Sequence, residues 1–187
     1  MKRVVIIGGG FAGSFVASKL ERDFLVTLID SKDYFEYTPS ILRLVVNPKI
    51  ISKIRVSHKN YLKKSEIVVG HVNEISKEYV KVEGDRISYD YLVICSGSNY
   101  SHLYNTGINS SKSDRLLSSY DKLLKAKKIL IIGGGLVGVE LAAELCAHYK
   151  DKEIVLINSE RLIPRNSIKS AEYSREFLER YRVKLLL

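Results

Sequence analysis

The sequence contains one glycine-rich stretch twice, as VVIIGGGFAGSFVASKL at Val4–Leu20 and as ILIIGGGLVGVELAAEL at Ile129–Leu145. The copies share two consecutive isoleucines, three consecutive glycines, a fourth glycine, an alanine and a leucine. In each copy, an apolar run typical of a strand buried on both faces precedes a Gly-x-Gly-x-x-Gly turn and a segment with helical spacing. The repeat therefore predicts the same strand–turn–helix unit twice, with a period too long for a solenoid.

The first copy has the residues that a dinucleotide site requires. Gly8 permits a tight turn, Gly10 lets a pyrophosphate approach the backbone, and Gly13 lets the helix pack closely. The N–H groups at the start of the helix offer partial positive charge to phosphates. A second strand at Leu25–Ile29 leads to Asp30, whose carboxylate can accept hydrogen bonds from both hydroxyls of an adenosine ribose. This order of elements predicts a dinucleotide site.

The second copy predicts a second dinucleotide site with a different ribose position. Its three glycines have the same spacing: Gly133, Gly135 and Gly138. The following strand, Ile154–Ile157, ends beside Asn158, where an acid would be expected. Asn158 can bind a ribose without repelling a 2′-phosphate, whereas Glu160 could replace the missing acid and Arg161 could bind a phosphate. NADH and NADPH therefore both stay open.

Glu140 lies two residues after the last glycine of the second turn, just inside the predicted helix. An acid near a helix N-terminus contributes roughly 0.3–1 kcal/mol through the helix dipole, which is a purely structural role. A functional role would place the same carboxylate near a nicotinamide ring. The residues alone leave both interpretations open. Two dinucleotides on one chain are explained economically if one is a hydride donor and the other a bound flavin.

Composition excludes several classes of function. Apolar residues make up 45% of the chain, enough for a core, and the net charge of +9 is spread among apolar residues, even in the densest basic stretch at 49–64. Interspersed charge favours a solvated surface, with attraction of anionic ligands or lipid headgroups as the alternative. No nucleic-acid-binding motif is present, so no nucleic-acid partner is expected.

Cysteine and histidine usage predicts no metal site and no disulfide framework. The two cysteines are far apart in the chain, and the four histidines have no metal-ligand spacing. This usage fits a reducing compartment, so we expect a cytoplasmic location. The N-terminal apolar run is too short for a signal peptide, and no run is long enough to span a membrane.

Three further segments complete the pattern. Residues 33–39 read DYFEYTP and are followed by Leu42 and Arg43, Val72 comes two residues after Gly70, and residues 89–98 read YDYLVICSGS. Together with the glycine turns, these segments resemble the two-dinucleotide flavoprotein superfamily (pyridine nucleotide-disulfide oxidoreductase-like). Within it the chain is most similar to type II NADH:quinone oxidoreductases and apoptosis-inducing-factor-like flavoproteins.

The resemblance implies an α/β fold with two Rossmann-like βαβ dinucleotide-binding domains, the second inserted in the first, and with the C-terminal half missing. It places an FAD-binding domain at 1–107, a connection at 108–126 and an incomplete NAD(P)H-binding domain at 127–187. FAD is implied as cofactor and NADH or NADPH as substrate. The FAD contacts implied are Gly8, Gly10, Phe11, Ala12, Gly13, Asp30, Arg43, Val72, Ser96 and Gly97. The nicotinamide-dinucleotide contacts implied are Gly133, Gly135, Leu136, Val137, Gly138 and Asn158, with Glu140 as the catalytic candidate.

Three departures from the family pattern qualify the function. Cys95-Ser96 replaces Ala-Thr, residues 31–60 lack the cysteine pair that disulfide reductases need, and family members are about twice as long. The expected function is an FAD-dependent NAD(P)H oxidoreductase that passes a hydride to FAD and on to a quinone or similar small acceptor. The alternatives are a non-catalytic dinucleotide-binding fragment and one half of a split enzyme. A complementing C-terminal chain, a homodimer and peripheral membrane contact are the candidate associations.

Overall fold

A computed structural model of the protein describes residues 1–98 and 113–187. The strands are β1 (Arg3–Ile7), β2 (Leu25–Asp30), β3 (Tyr34–Glu36), β4 (Arg55–Ser57), β5 (Glu66–Val69), β6 (Val72–Ile75), β7 (Tyr79–Val82), β8 (Asp85–Ser88), β9 (Tyr91–Ile94), β10 (Lys128–Ile132), β11 (Glu153–Ile157) and β12 (Lys184–Leu186). The α-helices are α1 (Phe11–Leu20), α2 (Ile51–Ile54), α3 (His58–Tyr61), α4 (Ser113–Lys125), α5 (Leu136–His148) and α6 (Ile168–Arg180), and two 3-10 helices span Thr38–Val45 and Pro48–Ile50.

The chain divides into two compact units. The first contains Met1–Tyr37 and the described part of Ser52–Ser101, and the second contains Thr38–Ile51 and the described part of His102–Leu187. The predicted domain limits at 107 and 126 stay predictions, and residues 99–112 lie outside the described residues. Thr38–Ile51 groups with the second unit, because the 3-10 helix at Thr38–Val45 buries its apolar side chains against α4 and α5.

The first unit is built on a four-stranded parallel sheet with the order β5-β2-β1-β9. Strand β1 lies inside this sheet, and its apolar side chains alternate between two cores. Val4 and Ile6 pack with Ala17 of α1 on one face. Val5 packs with Val80 on the other face, where β6, β7 and β8 form an antiparallel sheet. Burial on both faces explains why β1 reads as an unbroken apolar run.

The second unit repeats the beginning of this arrangement. Its parallel sheet has the order β10-β11-β12, with Leu130 opposite Val155 and Leu156 opposite Leu185. Helices α5 and α6 cover it and bury Leu145 and Leu178 completely. Within the described residues β10 pairs only with β11.

The α/β prediction with two βαβ units is therefore confirmed, and both predicted strand–turn–helix–strand repeats are present. The helical segment after the second glycine turn spans Leu136–His148, and a further helix spans Ile168–Arg180. Ser167 is its N-cap, since its hydroxyl oxygen accepts a hydrogen bond from the Ser170 N–H at 3.1 Å. No helix in the described part of the chain is both long and apolar enough to cross a membrane.

Candidate functional site

Two glycines of the first turn are required by the protein itself. Gly8 has a φ of +98°, its N–H donates to the Ile29 carbonyl at 2.7 Å, and a Cβ there would overlap the Cys95 carbonyl oxygen. A Cβ at Gly13 would overlap the Gly8 carbonyl oxygen. Any side chain at these positions would push α1 or β9 away from the turn. Gly8 and Gly13 therefore set the close packing of the strand, the turn and the helix.

Gly10 is different, because neither its backbone nor its packing requires a glycine. Its φ of −76° and ψ of −162° are accessible to any residue, and a Cβ there would meet no atom within 4 Å. Gly10 is also the N-cap of α1, and no side chain caps this helix. The next two residues, Phe11 and Ala12, are exposed. The N-terminus of α1 thus faces open space with the donors that an anion needs.

Asp30 lies at the end of β2, next to this turn, and only 11% of its side chain is exposed. Its Oδ2 is 3.2 Å from Nε2 of His58. Burial alone would raise the pKa of Asp30, but the hydrogen bond from His58, the Lys32 charge and the Gly9 N–H together hold this pKa below its usual value. Asp30 is therefore an ionised acceptor, as its predicted contact with a ribose requires.

His58 was not identified from the sequence, where it appears as one histidine in a basic stretch. The structure buries it completely, at the start of α3. Its Nδ1 is 2.6 Å from the Tyr61 hydroxyl, which is 2.7 Å from Oγ of Ser14. Ser14 in turn donates to the Gly9 carbonyl at 2.8 Å. A buried polar chain therefore runs from Asp30 beneath the glycine turn and back to the turn itself.

Other predicted FAD contacts reach the same edge of the first unit's parallel sheet. The Cys95 N–H donates to the Ile7 carbonyl at 2.7 Å, which brings the following Ser96 and Gly97 to the carboxyl end of β1. The Gly70 N–H donates to the Asp30 carbonyl at 2.9 Å, just before Val72 begins β6. Ligands of open parallel sheets bind at this edge. The roles of Ser96, Gly97 and Val72 as contacts stay predictions.

The aromatic segment after β2 also meets the first turn. Phe11 contacts Phe35 edge-on, with ring centroids 5.0 Å apart, and contacts Tyr37 at 5.7 Å. Arg43 lies in the second unit, where its Nε is 3.0 Å from the Glu144 carboxylate on α5. Its predicted flavin contact stays a prediction.

The second turn also has two kinds of glycine. We call a glycine closed where its backbone conformation or packing excludes a side chain, and open where neither does. Gly133 has a φ of +106°, its N–H donates to the Ile157 carbonyl at 2.8 Å, and a Cβ at Gly138 would overlap the Gly133 carbonyl oxygen. Gly135 is the uncapped N-cap of α5, with a φ of −73° and no atom within 4 Å of a Cβ placed on it. Its neighbours Leu136 and Val137 are exposed, as is Glu140.

Asn158 ties the second turn to the loop that follows β11. Its Oδ1 accepts a hydrogen bond from the Gly134 N–H at 3.0 Å. Its Nδ2 donates to the Glu160 and Arg161 carbonyls at 3.0 and 3.2 Å. Both amide donors are therefore used within the protein, and contact with a ribose, which stays a prediction, would fall to the remaining capacity of Oδ1. The Arg161 guanidinium is anchored nearby on the Pro164 and Asn166 carbonyls.

A cavity of about 640 Å³ adjoins this second turn within the second unit. It is lined by β10, the glycine turn, the start of α5 and residues 163–166, with Leu116 and Leu123 of α4 on another wall. Its walls are mainly apolar, and its polar groups include Arg165 and Asn166. This volume lies in the usual range for a small-molecule site.

Comparison with known proteins places the chain in one group. Residues 2–187 match the family model described as pyridine nucleotide-disulphide oxidoreductase. Apoptosis-inducing factor homolog B of Dictyostelium discoideum is 37% identical over 161 residues, which cover 82% of this chain and 42% of that protein. The structure of the sulfide:quinone oxidoreductase from Aquifex aeolicus superposes on 100% of this chain and 51% of its own, with a TM-score of 0.85 and 21% identity. The structure of NDH2 from Plasmodium falciparum in complex with NADH covers 99% of this chain and 47% of its own, with a TM-score of 0.80 and 21% identity.

The chain thus spans about half the length of the relatives it matches. At this level of identity, the two solved structures support the fold.

Proposed function

Because the chain belongs to the pyridine nucleotide-disulphide oxidoreductase family, we propose that it binds FAD at the first glycine turn and NADH or NADPH at the second. The proposed activity of the whole protein is hydride transfer from NAD(P)H to the flavin and from there to a small acceptor, for which a quinone is the leading candidate. When bound, the flavin supplies the redox chemistry, while the residues of this chain bind and orient the two dinucleotides.

The pair of open glycines, Gly10 and Gly135, carries this proposal. Both have negative φ values and no neighbour within 4 Å of a Cβ. A turn with a purely structural role would need glycine only at the closed positions. Glycine at an open position, at the uncapped start of a helix, supports close approach of a ligand phosphate to the backbone.

The side chains beside each turn support the assignment of the two cofactors. Asp30 is an ionised carboxylate next to the first turn, suited to accept from the two ribose hydroxyls of a resident FAD. The second turn has the uncharged Asn158 and the anchored Arg161 in its place. An uncharged side chain at the position after β11 is compatible with either NADH or NADPH, and parallel binding titrations with the two nucleotides distinguish them.

The cysteines argue against disulfide reduction by this chain, although the family name includes it. Both Cys95 and Cys146 are free. Burial raises the pKa of the Cys146 thiol, which makes it a poor nucleophile. Cys95 follows β9 in the first unit, whereas Cys146 lies on α5 in the second. A quinone-type acceptor therefore fits better than a disulfide.

The test is to purify the chain and record its visible spectrum before and after anaerobic addition of NADH or NADPH. The proposal expects a flavin spectrum that is bleached by one or both nucleotides and restored by a soluble quinone. A colourless protein that binds ADP-ribose would instead identify a non-catalytic fragment. A flavin spectrum that appears only after a second polypeptide is added would identify a split enzyme.

A further inference from the structure

The buried polar chain beneath the first turn joins two parts of the site that the proposed function assigns to different portions of FAD. One end is Asp30, the ribose acceptor. The other end is the Gly9 carbonyl, which accepts from Ser14. His58 and Tyr61 form the links between them. His58 is fully buried and Ser14 is 9% exposed, so water has little access to these groups and does not replace their hydrogen bonds.

The buried hydrogen-bond chain from Asp30 to Gly9 contains four short contacts, and each contact needs a proton between its two heavy atoms. Their lengths are 3.2 Å for Asp30–His58, 2.6 Å for His58–Tyr61, 2.7 Å for Tyr61–Ser14 and 2.8 Å for Ser14–Gly9. These are hydrogen-bond distances, at which two unprotonated acceptors would repel. A neutral histidine, a tyrosine and a serine supply one proton each, which is one proton too few.

The direction of each hydrogen bond follows from its acceptor. The Gly9 carbonyl can only accept, so Ser14 donates to it and must accept from Tyr61. The Tyr61 proton is then used, so Nδ1–H of His58 donates to the phenolic oxygen. The Asp30 carboxylate can only accept, so Nε2–H of His58 donates to it. With this set of directions both ring nitrogens carry protons, as in an imidazolium paired with the Asp30 carboxylate.

The same hydrogen-bond chain also sets the direction of the Gly10 N–H group. In a trans peptide, C=O and N–H point to opposite sides. Ser14 holds the Gly9 carbonyl on its own side, so the N–H of Gly10 points away from Ser14, at the exposed start of α1. At the other end, His58 holds Oδ2 of Asp30. The other oxygen, Oδ1, is 3.4 Å from Oγ of the exposed Ser31.

We propose that His58 is a positioning residue of the FAD site, which as an imidazolium orients the Asp30 carboxylate toward the ribose and, through Tyr61 and Ser14, the Gly10 N–H toward the pyrophosphate. This inference rests on the proposed function of the first turn. The second turn has no such hydrogen-bond chain. Val139 occupies the position that corresponds to Ser14. The Gly134 carbonyl instead accepts a hydrogen bond from the Ile163 N–H at 2.7 Å. The arrangement is thus particular to the first turn and is not a general property of the repeat.

The first test measures protonation directly, on the chain without added cofactor. Nitrogen-15 NMR at about pH 8, where an ordinary histidine with a pKa of about 6.5 is neutral, should show both ring nitrogens of His58 protonated. The exposed His71 and His148, recorded in the same spectrum, serve as internal controls. Tyr61→Phe removes two of the four contacts and only one proton, so the shortage disappears and His58 should become neutral in that variant. A neutral His58 in the wild-type chain would overturn the proposal.

The second test measures FAD affinity by flavin fluorescence. His58→Gln, Tyr61→Phe and Ser14→Ala should each weaken FAD binding roughly tenfold, the upper range for one net hydrogen bond. NAD(P)H binding should not change, and Val139→Ala, the matched variant in the second turn, should leave FAD affinity unchanged. Wild-type FAD affinity in all three variants would overturn the positioning role. A protein that binds no FAD but has a doubly protonated His58 would refute the proposed cofactor and would still support the buried imidazolium.

Discussion

The open and closed glycines of each turn should respond to the same added methyl group in opposite ways. Gly10→Ala places a Cβ where no protein atom lies within 4 Å, in a backbone conformation that alanine adopts freely. Alanine is a poorer N-cap than glycine by roughly 0.5–1 kcal/mol. It also restricts the unfolded chain, which stabilises the fold by about 0.4–1 kcal/mol. The free energy of unfolding should therefore change by less than about 1 kcal/mol.

The effect of Gly10→Ala on FAD should be much larger than its effect on the fold. The methyl group would occupy the space through which a phosphate oxygen reaches the N-terminus of α1. Loss of one charge-assisted hydrogen bond costs about 1.5–3 kcal/mol, which raises the Kd for FAD roughly 10- to 150-fold. Gly13→Ala should act in the reverse order, because its Cβ would overlap the Gly8 carbonyl oxygen and force backbone apart. We expect about 3 kcal/mol of destabilisation, or roughly 6–12 °C in Tm.

The second turn supplies a matched pair of variants on the same chain. Gly135→Ala should weaken NAD(P)H binding and leave FAD and Tm nearly unchanged, whereas Gly138→Ala should lower Tm as Gly13→Ala does. Thermal melts report the stability of each variant, and fluorescence titrations with FAD and with NAD(P)H report its affinity for each ligand. Wild-type FAD affinity in Gly10→Ala would mean that the pyrophosphate does not pass this residue. A large fall in Tm for Gly10→Ala would refute the distinction between open and closed positions.

Three further substitutions test other contacts. Asp30→Ala should weaken FAD retention because it removes the ribose acceptor, and unchanged flavin content after purification would contradict that role. Asn158→Asp should lower Tm, since its second carboxylate oxygen would face the Glu160 and Arg161 carbonyl oxygens. The new negative charge should also repel a 2′-phosphate, so NADPH binding should weaken more than NADH binding in parallel titrations. Equal losses for the two nucleotides would contradict this repulsion. Glu21→Ala should cost about 1–2 kcal/mol of stability in denaturant melts, because the partly solvated carboxylate accepts from three consecutive N–H groups at residues 63–65. Burial raises the pKa of Glu21, but these hydrogen bonds outweigh burial and hold the pKa below its usual value, so the difference from wild type should persist above roughly pH 4.3 and disappear as the pH falls through the lowered pKa.

The parts of the fold that could be predicted are those encoded locally. An apolar run, a glycine turn and a helical pattern lie within Val4–Leu20, so the sequence alone predicts the βαβ units. The antiparallel hairpin partners β6 and β8 were not predicted, because they are short and mostly exposed. The grouping of Thr38–Ile51 with the second unit depends on contacts with α4 and α5, which no local pattern specifies.

The same limit explains why His58 was missed. It is separated from Asp30 by 28 residues and lies among lysines, so its neighbours in sequence indicate a solvated surface, whereas the fold buries it beneath the glycine turn. Asn158 was predicted as a ribose contact from its place after β11. Its hydrogen bonds to both the turn and the following loop depend on how the loop folds back.

The two turns differ most in how they meet the negative charge of a pyrophosphate. An uncompensated carboxylate about 6 Å from a phosphate would repel it by roughly 3 kcal/mol at an effective dielectric constant of 20. In the first turn, an imidazolium at His58 would make its pair with Asp30 neutral overall, so the ribose acceptor would be retained without that penalty. In the second turn, Asn158 avoids the charge altogether and Arg161 adds a cation nearby. The glycine pattern is common to both turns, and the buried or loop residues beneath it differ. These residues, more than the glycines, should therefore decide which dinucleotide each turn binds, and replacing Asp30 and His58 together should weaken FAD binding less than the sum of the two single replacements.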